Sequence, residues 1–209
     1  MSETRPNPAA DLTSERPPSL ADAVGGPLGV AESALPAAAY VLTYTVGGSD
    51  TTLALIVAVG LGAVFGVARL VRGQTVQFAL AGLAGLALSA YVVSRTGRAE
   101  DFFLPGLLAN AAYALAYLIS IVVRWPLLGI IVATLRGGDM SWRQDPRQLR
   151  DFSRASWIWV VLFSLRLAVQ LPLYLAGALA ALGVARIAMG IPLFAVGVWL
   201  SWLILRPRS

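Results

Sequence analysis

The chain has 209 residues, 57% of them hydrophobic and 13% charged, with a mean hydropathy of +0.72. A soluble domain carries about 25% charged residues, so the composition excludes an ordinary soluble globule and points to a chain solvated largely by lipid. The sixteen basic residues are all Arg and the net charge is +5. They sit at the ends of apolar segments, without the interleaved aromatics of a nucleic-acid surface, so nucleic acid is not expected as a partner. With no Cys and no His, disulfides, thiolate or imidazole metal ligands, thiol nucleophiles and Ser-His triads are all removed. No enzymatic activity, cofactor or metal is expected.

Residues 1–27 are rich in Pro, Ser and Ala with mixed charge; they read as a disordered tail without a signal-peptide pattern. The remainder, 28–209, reads as a single transmembrane domain. Its fold class is all-α: a polytopic helical membrane bundle of about six spans, at 28–46, 51–71, 76–94, 103–123, 156–176 and 186–205. The first is the weakest, because it contains Glu32 and Pro36. Short connectors at 47–50 and 95–101 make consecutive helices antiparallel neighbours. Ala58, Gly62 and Gly66, then Ala81, Gly85 and Ser89, recur every four residues and suit close helix contacts in lipid.

The run 102–135, FFLPGLLANAAYALAYLISIVVRWPLLGIIVATL, is too long for one crossing and too short for two with a turn. Arg124 would be costly at mid-membrane, Trp125 favours the headgroup level, and Pro126 suits the first turn of a new helix. One crossing followed by an interfacial or shallow re-entrant piece at 126–135 is therefore expected. Arg136, Arg143, Arg147, Arg150 and Arg154 make 136–155 the most basic connector, so it is expected in the cytoplasm, and counting crossings places both termini there as well. Within this loop, Asp145 can cap a short helix that Pro146 opens. Leu149 and Phe152 would then face the bilayer, while Arg147, Arg150 and Arg154 meet anionic headgroups or a partner.

Arg166 lies near the middle of the fifth expected span. Gln170 and Tyr174 follow at four-residue intervals on the same helix face, with Pro172 beside them. This stripe can line a solute path or hold an anion; alternatively, Arg166 is locked to a carboxylate or to helix-end carbonyls. Glu32, the only acid inside an expected span, is its natural partner. Asn110, Tyr113, Tyr117 and Ser120 form a second stripe that could face Arg166 or simply glue helices together. Arg95, Arg98, Glu100 and Asp101 make an external charged turn, read either as an ion site or as a self-solvated turn.

AAYVLTY at 38–44 echoes AAYALAY at 111–117, and GVARLVRG at 66–73 echoes GVARIAMG at 183–190. If real, the echoes imply two inverted three-helix repeats, a transporter architecture.

TGRAEDFFLPG at 96–106, VRWPLLG at 123–129, LRLAVQLPLYLAG at 165–177 and GVARIAMGIPL at 183–193 carry a resemblance. With them the chain, from residue 32 to its last helix, resembles a family of small multi-spanning actinobacterial membrane proteins of unknown function. More distantly, the order of features is similar to the intracellular septation protein A family, including a basic residue that opens the last helix. That likeness implies a bacterial cytoplasmic-membrane protein acting in septation or envelope maintenance through contacts with division or wall-synthesis membrane proteins, or with copies of itself. The alternative reading is a small-solute or ion transporter or channel with Arg166 and Gln170 in the path.

Overall fold

The computed structural model describes residues 26–71, 76–135, 138 and 140–206; for 26–33, 69, 70, 76–79 and 81 it describes the backbone only. Most of the expected tail, together with Arg72, Arg136 and Arg208, lies outside the described residues, as do the side chains of Glu32 and Ala81.

All regular structure among the described residues is helical. The order is α1 (Gly26–Val46), α2 (Thr51–Val71), α3 (Val76–Thr96), a 3-10 helix Ala99–Phe103, α4 (Leu104–Val122), α5 (Leu127–Leu135), a short 3-10 turn Ser141–Arg143, α6 (Pro146–Leu175), α7 (Leu179–Ala188) and α8 (Ile191–Leu205). Among the described residues, four segments are long and apolar enough to cross a membrane: Thr51–Ala68, Ala99–Val122, Pro146–Leu175 and Leu179–Leu205; Ala34–Val46 is a shorter apolar helix. This is the pattern of a multi-pass membrane protein.

The bounds of the last two spans differ from expectation. Helix α6 starts at Pro146, because the polar residues 146–155 continue it as one rod. The final segment is not a single helix opening at residue 186. It starts at Leu179 and breaks after Ala188, and the new helix α8 starts at Ile191.

The run 102–135 holds one element of spanning length. Helix α4 stops at Val122, where Arg124 adopts φ +58° and Ser120 takes over: its carbonyl accepts from Trp125 N–H and its Oγ from Leu127 N–H, at 2.8 and 3.0 Å. At 1.5 Å per residue the nine residues of α5 rise about 14 Å, too little for a roughly 30 Å hydrocarbon core. Helix α5 instead turns back onto α6, burying Leu128 and Ala133.

Three buried clusters organise the bundle. The first lies at the 95–101 end, where Tyr40, Ala54, Ala58, Val93, Phe102, Phe103 and Leu182 draw α1, α2, α3, α7 and the 3-10 helix together. There Tyr40 stacks on Phe102, centroids 4.0 Å apart, and its hydroxyl donates to Ala99 O at 3.0 Å. The second joins α4, α6 and α8 through Tyr117, Trp159 and Leu162, with Trp159 Nε1 donating to Ser201 Oγ at 3.1 Å. The third pins the basic loop: Trp142 packs edge-on against Phe152 at 5.0 Å and lies over Gly129. Phe152 therefore faces the protein, contrary to the expectation that it meets the bilayer.

Of the small-residue rows, Gly62 and Gly66 on α2 receive Leu86 and Leu83 of α3, whereas Gly85 has nothing within 4 Å of the position a Cβ would take.

Asp145 caps α6 as the sequence suggests, its Oδ1 accepting from Arg147 N–H at 2.8 Å. That backbone bond, then the bond from the Gln148 side chain, holds its carboxyl below the ordinary value of 3.8. A carboxyl lowered in the folded state contributes stability above its unfolded pKa and loses that contribution as pH falls through its folded one. Melting followed from pH 6 to pH 3 should therefore steepen below about pH 4. The slope should flatten in Asp145→Asn, which caps without titrating; matching slopes would show that titration of Asp145 does not contribute.

Candidate intramembrane site

The break between α7 and α8 follows from local sequence. Gly190 supplies the turn, and Pro192, which lacks an N–H, is tolerated only in a helix's first turn. Met189 N–H and Gly190 N–H still close onto Ala185 O and Ile187 O, ending α7, and α8 starts with no side-chain cap. The first N–H groups of a helix have no partner within it, so α8 presents its positive end inside the apolar span.

Beside this break lies a cavity of about 470 Å³. Ala34 and Ala37 of α1 and Gly106, Ala109 and Asn110 of α4 form one side. The other side carries Arg166 and Gln170 of α6 and Arg186, Gly190 and Ile191 of the broken segment.

The two arginines are held differently. Arg166 donates from Nη2 to Gly190 O at 2.6 Å, tying α6 to the break, while its Nε is buried without a hydrogen-bond partner among the described residues. Arg186 lies under the ring of Phe103, 5.5 Å from its centroid, and against Gly106, where a Cβ would collide with its guanidinium. Protein surrounds it densely on most sides, yet it keeps exposed surface, as expected of a guanidinium that lines open space. It makes no ion pair or hydrogen bond among the described residues, and it is near enough to Arg166 for the two charges to repel.

Arg166, Gln170 and Asn110 thus come together. Gln170 is 3% exposed, and both amides line the cavity. The rest of the expected constellation separates. Tyr174 turns to the charged turn and donates to Asp101 Oδ1 at 2.6 Å. Tyr113 and Tyr117 leave the Asn110 face and pack on Phe163, at 5.3 and 6.0 Å, so that stripe does not face Arg166 as a unit. Whether Glu32 reaches Arg166 lies outside the described side chains.

The charged turn is only partly self-solvated. Exposed Arg98 pairs with Glu100 at 2.7 Å, and Arg95 sits near the Tyr91 ring. Asp101, by contrast, is 3% exposed and held by Tyr174. The turn and its 3-10 helix therefore roof the bundle, with Phe103 directly above Arg186.

At the other end, Arg143 stacks over Trp125 at 3.7 Å, so these two interface candidates hold each other. Arg147, Arg150 and Arg154 are exposed, with Arg154 3.8 Å from Asp151, and Arg124 marks the α4 elbow.

Arg186 is the functional candidate that sequence reasoning missed. The signal was present: Gly190 followed by Pro192 is the same stop-and-restart chemistry that marks Arg124–Pro126. Taking 186–205 as one ordinary span hid it.

The chain belongs to the family described as Protein of unknown function (DUF3159), whose model matches residues 24–209. Neither the curated proteins nor the solved structures give a match to it.

Proposed function

We propose that the protein is a non-catalytic, multi-pass protein of the bacterial cytoplasmic membrane that binds an anion within the bilayer and carries it across. The observation that supports this is the convergence of Arg166, Arg186 and the uncapped start of α8 on one cavity inside the apolar spans. Intramembrane arginines are costly and mark functional sites by default. Half-helix N-termini at a helix break are how transporters offer positive charge to anionic groups without water. Guanidinium forks add directed donors that suit oxyanions.

The basic loop end is taken as cytoplasmic, since exposed Arg147, Arg150 and Arg154 suit anionic headgroups there. The inverted-repeat reading gains no support from Tyr40 and Tyr113, which hold matching positions in the echo but are buried and exposed respectively. A role with division or wall-synthesis partners rests on the distant resemblance alone and draws nothing from this geometry.

The test is thermal stability of the purified protein against a panel of chloride, sulfate, phosphate, short alkyl phosphates and alkyl carboxylates. At least one anion should raise Tm in the wild type and lose that effect in Arg186→Gln, and that anion should then show Arg186-dependent flux in proteoliposomes. A panel with no Arg186-dependent member would overturn the reading.

A further inference from the structure

We infer that the anion is a phosphate monoester of an apolar alcohol. Its headgroup lies between Arg166 and Arg186, and its hydrocarbon lies along α1 toward the lipid. This rests on the anion-site reading above and narrows it through charge, wall chemistry and access.

Charge comes first. Two guanidinia face the cavity, and Arg166 spends one described bond on Gly190 O. In a medium of low dielectric two like charges repel strongly. A carboxylate would offset only one of them, whereas a phosphate monoester can carry two negative charges and offers three oxygens to the forked donors. Gln170 and Asn110 add neutral donors at the same level.

The walls then exclude a bare ion. A volume of about 470 Å³ lies in the range of sites for organic ligands and is several times what one phosphate group fills. Beyond the polar cluster, the lining is Ala34, Ala37, Ala109, Ile187, Ile191 and Pro192. An inorganic phosphate there would lose its hydration on that side and gain no donor in return. A hydrocarbon body fills the same space favourably.

Access fits an amphiphile. The 3-10 helix, with Phe102 and Phe103 buried, lies at the 95–101 end of the bundle and sets Phe103 against the cavity-lining Arg186. Among the described residues, helix α1 makes its main contacts with α2 and α7, through Val41 against Gly183 in the latter case, and packs only sparsely on α4, α6 and α8. The way out therefore runs beside the small side chains of Ala34 and Ala37, between helices, where a chain can reach lipid.

The experiment uses the full chain in phosphatidylcholine nanodiscs. Octyl phosphate, octyl sulfate, octanol and inorganic phosphate are titrated below micellar concentrations, and binding is read from the shift in Tm. Octyl phosphate should bind at least ten-fold more tightly than each of the other three, and at least ten-fold more weakly to Arg186→Gln. Ala109→Leu keeps both arginines and fills the apolar wall; it should weaken octyl phosphate several-fold. Equal, Arg186-dependent binding of inorganic phosphate would overturn this inference and leave the anion site standing. Octyl sulfate binding as well as octyl phosphate would remove the argument from two charges. Equal binding of all the octyl compounds, indifferent to Arg186, would overturn both.

Discussion

Arg186→Met should raise the thermal stability of the anion-free protein while abolishing its response to anions. Replacing a buried ion pair or triad by apolar residues of similar volume is commonly neutral or stabilising by about 1–4 kcal/mol; Arg186 is a single charge that protein crowds but that keeps exposed surface. Here the like charge of Arg166 nearby adds to the gain, while the surface that Arg186 keeps exposed reduces it. We expect about 1 kcal/mol, at the lower end of that range, read as a higher Tm in chloride-free buffer of low ionic strength. Added anion should then raise the wild type toward or above the variant and leave the variant unmoved. A fall of several kcal/mol would instead mean that a carboxylate neutralises Arg186 and that the cavity carries no spare positive charge. The trade of stability for charge is what a binding site, as opposed to a structural ion pair, should show.

The second large effect concerns the basic loop. Trp142 is 5% exposed, packed between Phe152 and the bare backbone of Gly129, and its neighbour Arg143 clamps Trp125. Trp142→Ala should destabilise the protein by about 3 kcal/mol, as large-to-small changes of buried aromatics do. It should also release the loop, so that trypsin cuts after Arg143 and Arg147 many-fold faster than in the wild type. Trp142→Phe should stay close to wild type, because it keeps a packed ring and removes an indole N–H that is buried without a hydrogen-bond partner among the described residues. Unchanged cleavage in Trp142→Ala would show that the loop is held by something other than this ring.

Several features were legible in the sequence for good physical reasons. Arg124, Trp125 and Pro126 together forced a stop and a restart, and α4 ends and α5 begins there. Asp145 followed by Pro146 announced a helix start, since a side-chain cap and a proline at the first turn satisfy the same orphan N–H groups, but the helix expected there was a short one within the loop and not the 30-residue α6. Arg166 stood out because a charge so far from either end of a span is expensive. The position of Arg186 was hidden by length. Within the 27 apolar residues of Leu179–Leu205, 186–205 read as one span preceded by a linker, and composition alone cannot say where an apolar run is broken. The fates of Tyr113, Tyr117 and Tyr174 were hidden because an amphipathic side chain on the right face can equally join an aromatic cluster or a polar path. Asp101 was misjudged for a related reason: a charged turn solvates itself unless tertiary structure sinks it, and here the buried Phe102 and Phe103 pull it in.

That the cavity attracts negative charge can be measured directly, since the chain has no native Cys. Ala109→Cys places a thiol on the cavity wall and Thr45→Cys an exposed reference outside it. Each is reacted with sulfonatoethyl and trimethylammonioethyl methanethiosulfonate, and the ratio of anionic to cationic rates is compared. The ratio at position 109 should exceed that at position 45 by about ten-fold or more, a modest gain for clefts that focus one sign of charge. With Arg186→Met added, it should fall toward the reference. A ratio at position 109 no higher than at position 45 would contradict an anion site between Arg166 and Arg186.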